Sequence, residues 1–443
     1  MSSILIIGAS IGGLIAAAEL SSLGHEVTIV EKGKGVGGLY NKIETPFGVQ
    51  ELGMHVLYAS YKHFHHLCAI FGIEVFNKLE GYRVDIGASA NFGDVYFNSH
   101  YPNLLGHPLQ EIILGEIISS TPTSVVPANA MEEAVSRFGS TAAKKIIAPI
   151  LKKLWHQDPV TLSAHALHCF FDLRRLVICE KADADKLKDS SNLDDVIANP
   201  NQSQPKGLVF DGRIGLTFKT EFNDLADRVS SWANQEGVSL LFGQDVGCIE
   251  GVLLLDGKNV YDNFDACIVA APIHLLADSS DIKLDRLELS IIYFELTDFT
   301  GNTFPSYYIL AHDAKFKASR IVNYDAYNPI TSRNRSSVVA VESIHKEGCP
   351  PSKEELIHEL SQILPSLHVK QSFKLEHSVS VLSPTLHNAQ SLNSLQEKIV
   401  RNFGVKPIYF SGMRTDTGIF FSHHTIGLAY DSALACNKRL TSN

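Results

Sequence analysis

The chain has 443 residues, of which 45% are hydrophobic and 19% are charged. This length predicts two or three structural units, and the composition excludes a disordered or low-complexity chain. Because 38 Lys and Arg face 48 Asp and Glu, for a net charge of -10, and no dense basic run could neutralise a phosphate backbone, nucleic acid is excluded as a partner.

The cysteines and the apolar segments bear on the compartment. Seven cysteines are scattered without a Cys-x-x-Cys pair, a pattern that argues against a disulfide framework and against a zinc site. The apolar start lacks the basic segment of a signal peptide. No uninterrupted apolar run reaches the roughly 18 residues that span a bilayer. We expect a soluble, cytoplasmic protein with reduced thiols, no metal site and no membrane span.

The first thirty residues have a strand, helix, strand pattern. An apolar run at 4–7 predicts a strand buried on both faces, a glycine-rich turn covers 8–13, and an Ala-rich and Leu-rich helix covers 14–23. A second strand over 25–31 ends in the carboxylate of Glu31. This order predicts a dinucleotide-binding unit of the Rossmann type.

Each residue of the turn has a task in dinucleotide binding. Gly8 permits the tight turn, Gly13 lets helix and strand pack closely, and the helix start faces the pyrophosphate. Glu31 would accept hydrogen bonds from the adenosine ribose. Ser10 replaces the middle glycine of the fingerprint, where it either crowds the diphosphate or donates a hydroxyl to it. The cofactor contacts predicted in this unit are Gly8, Ser10, Ile11, Gly12, Gly13 and Glu31.

A second glycine loop, Gly33 to Leu39, follows Glu31 and Lys32. The stretch resembles the Glu-Lys…Gly-Gly segment of the amine oxidase, protoporphyrinogen oxidase and UDP-galactopyranose mutase superfamily of flavoproteins. The resemblance implies that FAD is bound and that this loop follows its diphosphate. Leu39 stands where an arginine often occurs in that superfamily. The implied contacts are Lys32, Gly37, Gly38 and Leu39.

The segment Gly53-Met54-His55 is similar to the Gly-Pro-His segment of the mutases, which lies against the isoalloxazine ring. The resemblance implies that Gly53 and Met54 contact the cofactor and that His55 is an active-site residue, with Tyr58 nearby. A histidine with an ordinary hydrogen bond in a strand is the alternative for His55.

The middle of the chain resembles the mutase-like bacterial oxidoreductases at Arg137-Phe138-Gly139 and from Pro149 to Ala164. Trp155 lies in this helical insertion, where a core position is favoured over substrate stacking. Arg320 resembles an arginine that faces the substrate, and a guanidinium suits a phosphate or a carboxylate. A surface salt bridge is the alternative for Arg320.

The last third of the chain contains the remaining pieces of the cofactor site. By resemblance, Val246 meets the adenine, Ala271 lies in a turn over the cofactor, and Gly412 with Arg414 follows the strand that reaches the ribityl phosphate. Thr425 and Ile426 open a final helix whose start points at the flavin. Before it, His423 and His424 are candidates for proton transfer or for capping the helix.

These features predict an α/β fold in which a discontinuous Rossmann-type FAD domain, formed by 1–60, 205–280 and 390–443, holds a substrate domain. That domain comprises a helical insertion over 61–204 and an antiparallel sheet over 281–389. We expect an FAD-dependent oxidoreductase that removes a hydride from a small polar substrate, with a sugar or nucleotide-sugar derivative as the candidate that the resemblance implies. The alternatives are a redox-neutral flavin-dependent mutase, which the segment 417–424 disfavours because it lacks the mutases' tyrosines, and a non-catalytic binding module. The oligomeric state stays open.

Overall fold

Parallel and antiparallel sheets with flanking helices make up the fold, which confirms the predicted α/β class. The computed structural model describes residues 1–40, 42–54, 57–71, 76–78, 87–97, 99–120, 125–200, 213–218, 223–277, 282–297, 304–324, 337–375 and 378–442. Within these ranges no helix is long and apolar enough to cross a membrane.

The strands of the described residues are numbered in chain order. They are β1 (Ser3–Ile7), β2 (Glu26–Glu31), β3 (Lys42–Thr45), β4 (Gly48–Glu51), β5 (Leu57–Ser60), β6 (Phe76–Lys78), β7 (Gly87–Asn91), β8 (Asp94–Tyr96), β9 (Leu176–Val177), β10 (Ile197–Ala198), β11 (Arg213–Phe218), β12 (Ser239–Phe242), β13 (Val246–Ile249), β14 (Val252–Leu255), β15 (Lys258–Asn259), β16 (Ala266–Val269), β17 (Arg286–Thr297), β18 (Tyr308–Ala311), β19 (Arg320–Asn323), β20 (Val338–His345), β21 (His368–Lys374), β22 (Val379–Leu382) and β23 (Ile408–Phe410).

The α-helices are numbered in the same way. They are α1 (Ile11–Ser22), α2 (Tyr61–Phe71), α3 (Gln110–Ser119), α4 (Ala130–Ala142), α5 (Ala148–Trp155), α6 (Lys181–Leu187), α7 (Ser191–Asp194), α8 (Asn223–Glu236), α9 (Val260–Asn263), α10 (Ile273–Ala277), α11 (Lys353–Ile363), α12 (Leu386–Phe403) and α13 (Ser422–Thr441).

A five-stranded parallel sheet in the order β12-β2-β1-β16-β23 forms the centre of the cofactor half. Its strands come from all three segments that were predicted to build the FAD domain. In β1, Ile4 and Ile6 pack on the side of α1 and α13, whereas Leu5 and Ile7 pack on the side of α12. This burial on both faces is why β1 is an uninterrupted apolar run.

A larger sheet, with the strand order β21-β17-β20-β19-β18-β7-β8 and with β22 also paired to β17, forms the second half. Its pairs are antiparallel apart from β7 with β18. Strands β7 and β8 lie in the range that was predicted to be a helical insertion, so that prediction was incomplete. β7 has the sequence Gly-Ala-Ser-Ala-Asn, whose residues have low strand propensity, and all five are buried. Pairing with β8 and β18, and not local propensity, therefore determines that these residues form a strand.

Helix α4, in the helical part of the insertion, is interrupted at Gly139. Gly139, inside α4, has φ +83°, and a Cβ on it would lie 2.2 Å from the Glu116 carboxylate. That carboxylate accepts hydrogen bonds from the amide and the hydroxyl of Thr141 at 2.9 and 2.6 Å, which caps the second half of the helix. Trp155 is fully buried in the core that these helices form, in agreement with the core interpretation.

Candidate functional site

The turn between β1 and α1 brings backbone atoms closer together than side chains would permit. Gly8 has φ +101°, in the left-handed region that favours glycine. A Cβ on Gly13 would lie 2.1 Å from the carbonyl oxygen of Gly8, and a Cβ on Gly8 would lie 2.9 Å from the amide nitrogen of Ala271. The backbone geometry therefore requires glycine at both positions.

Ser10 caps α1. Its Oγ accepts a hydrogen bond from the amide of Gly13 at 3.3 Å, and its backbone is extended. The amides of Ile11 and Gly12 lie in the first turn, where a helix offers no intrahelical acceptor, and the helix start carries partial positive charge. The start of α1 thus presents two backbone donors in a setting that favours an anion.

The second glycine loop lies against this first turn. The amide of Gly37 donates to the carbonyl of Ala9 at 2.9 Å, and Gly37 pairs with Ser10 in a short parallel bridge. A Cβ on Gly38 would lie 3.7 Å from the Cβ of Ser10. Leu39, at the end of the loop, has 45% of its surface exposed. Two glycine segments that are separate in the sequence therefore form one surface.

The carboxylate of Glu31 connects both loops. Its Oε2 accepts from the amide of Ala9 at 2.8 Å, and its Oε1 accepts from the amide of Gly33 at 2.7 Å. A carboxylate has about four acceptor positions, so two such bonds leave capacity for the predicted ribose contact. The Nζ of Lys32 lies instead 2.8 Å from the carboxylate of Asp245, and both of these side chains are exposed.

The ends of β16 and β23 close the surface from the other side. A Cβ on Gly412 would lie 2.1 Å from the carbonyl oxygen of Ala271. The amides of Ser411 and Gly412 both donate to the carbonyl of Val269, at 2.9 and 3.2 Å. These turns follow the carboxyl ends of neighbouring parallel strands, which is where open α/β sheets bind their ligands.

The start of α13 meets the start of α1 at the same place. A Cβ on Gly12 would lie 3.2 Å from the carbonyl oxygen of Thr425 and 3.5 Å from the Cβ of Ala429, and Ile426 is fully buried between the helices. The starts of α1 and α13 therefore converge with the carboxyl ends of β1, β2, β16 and β23. We name this surface the glycine cradle, and it comprises residues 8–13, Gly37, Gly38, Ala271, Gly412 and Thr425.

A group of aromatic side chains lies at the start of α13, which begins at Ser422, three residues earlier than the predicted start at Thr425. The ring of Phe421 is parallel to that of His423, with centroids 5.9 Å apart, and the amide of Phe420 donates to Nδ1 of His424 at 3.4 Å. The ring of Phe420 also meets that of Phe170 edge-on, with centroids 6.3 Å apart. The insertion and the last helix thus share one cluster of rings.

Two further histidines complete this cluster. Gly418 has φ +79°, and a Cβ on it would lie 2.2 Å from Nε2 of His168 and 3.1 Å from Nδ1 of His165. Burial, and after it the positive charge of the nearby Arg174, lowers the pKa of His168 to about 3, so the ring is neutral at pH 7. We name the aromatic cluster by its members, which are His165, His168, Phe170, Phe420, Phe421, His423 and His424.

The guanidinium of Arg320 lies over the ring of Phe170, a member of the aromatic cluster. This guanidinium lies 5.0 Å from the ring centroid of Phe170 and donates to both carboxylate oxygens of Glu342, each at 2.9 Å. Glu342 is fully buried, so the pair is not the surface salt bridge that was the alternative. Two guanidinium nitrogens of Arg320 already donate to Glu342. They are therefore not available to a phosphate or carboxylate of a substrate, which is the role that the sequence suggested for Arg320.

Comparison with known proteins decides the family. Residues 11–292, more than half of the chain, match the family described as flavin containing amine oxidoreductase. The chain belongs to this family. In agreement with the resemblance stated above, the protein is an FAD-dependent oxidoreductase.

Solved structures of the flavoprotein superfamily have the same fold over nearly the whole chain. A reduced UDP-galactopyranose mutase matches with a TM-score of 0.65 and 14% identity, over 98% of this chain and 95% of the mutase. An engineered putrescine oxidase matches with a TM-score of 0.58 and 13% identity, over 99% of both chains. At these identities the likeness concerns the fold.

A curated relative matches over a short segment. The 4,4'-diapophytoene desaturase of Staphylococcus aureus (strain COL) is 54% identical over 41 residues, which are 9% of this chain and 8% of the desaturase. The chain therefore spans less than a tenth of the length of that relative. Its similarity to the desaturase is local.

The glycine cradle fits the diphosphate of FAD. At Gly8, Gly13 and Gly412, an added Cβ would collide with backbone, which shows that the chain segments approach each other too closely for side chains. The starts of α1 and α13 lie against each other at Gly12 and Thr425, and a helix start carries partial positive charge. A diphosphate is the part of FAD that both features accommodate.

Five other predicted site residues are not among the members of the cradle or lie beyond the described residues. Gly53 forms a buried turn with φ +89°, and Met54 packs against hydrophobic side chains of the larger sheet. Val246 is buried beneath the parallel sheet. His55 lies outside the described residues, as does the side chain of Tyr58. Their roles stay predictions.

Arg414 is buried and holds the turn before α13. Its guanidinium donates to the carboxylate of Asp416 at 2.5 Å, and to the side-chain oxygens of Gln396 and Asn393 at 3.0 Å each. These bonds connect the turn to α12. The contact of Arg414 with the cofactor stays a prediction. The guanidinium donors named above bind side chains of the protein.

Sequence reasoning missed His165, His168 and Phe170. The signal available was a His-x-x-His pair followed by two phenylalanines, in a segment already identified as the helical insertion. Nothing in that segment indicates that it meets residues 417–424, which lie about 250 positions later. That contact depends on the assembly of both halves.

Proposed function

We propose that the protein removes a hydride from a small polar substrate bound at the aromatic cluster, and that this substrate is a sugar or nucleotide-sugar derivative. The observation that carries the proposal is the position of the cluster at the start of α13, where Thr425 belongs to the glycine cradle. FAD, when bound, supplies a hydride acceptor. The protein contributes binding, orientation and proton handling.

The backbone of the cradle would hold the diphosphate, and the start of α13 would stabilise negative charge on the reduced cofactor. His424 has a defined role in proton transfer. Because its Nδ1 accepts from the amide of Phe420, the proton of the neutral ring resides on Nε2. Nε2 is therefore the atom that would donate a proton to the substrate or exchange one with it.

The character of the cluster supports a hydroxyl-bearing substrate. Phenylalanine rings offer apolar faces, and imidazole nitrogens offer hydrogen bonds, which together suit a neutral ring with hydroxyl groups. Arg320, by contrast, is engaged with Glu342. The similarity in fold to a UDP-galactopyranose mutase favours the sugar class.

Anaerobic titration tests this proposal. Purified protein, in its oxidised yellow form, is mixed with a panel of sugars and nucleotide sugars while its absorbance is followed. We expect one member of the panel to bleach the flavin without any added reductant, and we expect His424→Gln to slow that bleaching. Bleaching by amines but by no sugar would overturn the substrate class.

A redox-neutral mutase is the second candidate, and the mutase has the higher TM-score of the two solved structures compared above. Such an enzyme would turn over only after its flavin had been reduced, for example with dithionite. Conversion of a sugar isomer by the reduced protein, combined with no bleaching of the oxidised protein, would favour this candidate over the first.

A further inference from the structure

Glu19 is a charged residue in an otherwise apolar helix. It lies in α1, among alanines and leucines, and is 8% exposed. Its Oε2 is 2.6 Å from Nε2 of His66 on α2, which is also buried. Among the described side chains, no Lys or Arg lies within ion-pair distance of this carboxylate. Buried carboxylates are normally paired with a cation or bound to a metal ion.

A third potential ligand lies beside this pair. His65 is exposed, and its ring centroid is 3.8 Å from that of His66. One ligand atom from each of Glu19, His65 and His66 lies within 4.8 Å of the other two. Two ligands of a tetrahedral zinc ion are about 3.3 Å apart, given bonds of about 2.0–2.1 Å. Rotation of the exposed His65 side chain can bring its ligand atom closer, whereas the Glu19 and His66 atoms, now 2.6 Å apart, would separate by about 0.7 Å to meet the same spacing.

The donor set selects one class of ion. Two imidazoles and a carboxylate suit zinc and the neighbouring transition metals, whereas calcium and magnesium prefer oxygen ligands only. On binding, the metal would take the place of the hydrogen between Nε2 of His66 and Glu19, and the displaced proton would pass through water to Nδ1 of the same ring.

We propose that Glu19, His65 and His66 form a binding site for a divalent transition-metal ion such as zinc, with water completing the coordination. The expectation that the chain has no metal site rested on its cysteines, and this site uses none. His65 and His66 lie in α2, and Glu19 lies in α1, 46 positions before His65. The ion would thus join two helices of the cofactor half.

The site is distinct from the glycine cradle. Glu19 is seven residues beyond Gly12, which is about 10 Å along the helix. The metal would therefore act on stability and not on the chemistry of the flavin. Because it binds only the folded arrangement, it would raise the midpoint of thermal unfolding as its concentration rises.

Titration of the FAD-loaded protein with zinc chloride, after removal of metals by EDTA, tests the proposal. Calorimetry should show one zinc ion bound per chain, and the unfolding midpoint should rise. The variant His65→Ala should weaken zinc binding by at least about tenfold, the loss expected even for a group that only supports a metal site. Because His65 is exposed, this variant should fold and remain yellow.

Two further variants make the result decisive. Glu19→Gln keeps the volume of the side chain and removes its charge, so it should also weaken zinc binding by at least about tenfold. His368→Ala removes an exposed histidine on β21 and should bind zinc as the parent does. Absence of zinc binding by the parent, or equal losses in His65→Ala and His368→Ala, would overturn the proposal.

Discussion

The glycine cradle and the aromatic cluster meet at the start of α13, yet they are built in opposite ways. The cradle consists of backbone, and its decisive property is the absence of side chains at Gly8, Gly13 and Gly412. The aromatic cluster consists of side chains, drawn from two segments about 250 positions apart. The first is encoded locally and serves a common cofactor. The second depends on tertiary assembly and is the substrate site that we propose.

The largest expected effect is at the cradle. Gly13→Ala places a Cβ 2.1 Å from the carbonyl oxygen of Gly8, where only backbone movement can relieve the collision. We expect the purified variant to lack the yellow colour of bound FAD. Gly115→Ala is the matched control, because a Cβ at this position in α3 meets nothing within 4 Å and lies outside the cradle. Full flavin content in Gly13→Ala would show that the cradle does not depend on this contact.

The support of the aromatic cluster gives the next largest effect. Glu342→Gln leaves the buried guanidinium of Arg320 without its carboxylate, and breaking such a pair typically costs about 3–5 kcal/mol. Chemical denaturation should reveal this loss in the free energy of unfolding, whereas the folded fraction should keep its FAD. Lys186→Gln breaks an exposed pair with Asp183 and should cost about 0.5 kcal/mol or less. Similar losses in both variants would contradict a buried role for Arg320.

The histidines of the cluster predict a pH dependence. His168 has a pKa of about 3 in the folded protein and about 6.5 in the unfolded chain. Below pH 6.5 the unfolded chain therefore binds a proton that the folded protein does not, so stability falls as the pH falls. Between pH 7 and pH 5 this group should account for a loss of up to about 2 kcal/mol.

His168→Gln removes that contribution. The decline in unfolding free energy from pH 7 to pH 5 should become shallower in this variant, as measured by urea denaturation at each pH. His358→Gln, at an exposed position on α11, should leave the decline as it is in the parent. An unchanged slope in His168→Gln would mean that the ring titrates normally and is not buried in the cluster.

The two regions also differ in how much of each the sequence predicts. The turn at residues 8–13, the glycine loop and the closing helix were all predicted, because glycines and strand patterns are local consequences of backbone geometry. The burial of Arg320 against Glu342 was not predicted, because a lone arginine in a strand has the same local pattern whether it faces a substrate or a carboxylate. Strand β7 was missed for a related reason, since its small residues acquire their strand conformation from neighbours far along the chain.

Ser10 gives the smallest and most discriminating effect, because its side chain stands where the dinucleotide fingerprint has its middle glycine. Its hydroxyl accepts from Gly13 as a helix cap, so Ser10→Ala should cost about 1 kcal/mol in stability and Ser10→Gly only a few tenths. If capping is its whole role, apoprotein of Ser10→Gly should bind FAD within about twofold of the parent, in a fluorescence titration. A loss of about tenfold would equal one hydrogen bond of about 1.4 kcal/mol and would assign the hydroxyl to the diphosphate. The cradle would then bind the cofactor through a side chain as well as through backbone, so it would differ less sharply from the aromatic cluster, which consists of side chains.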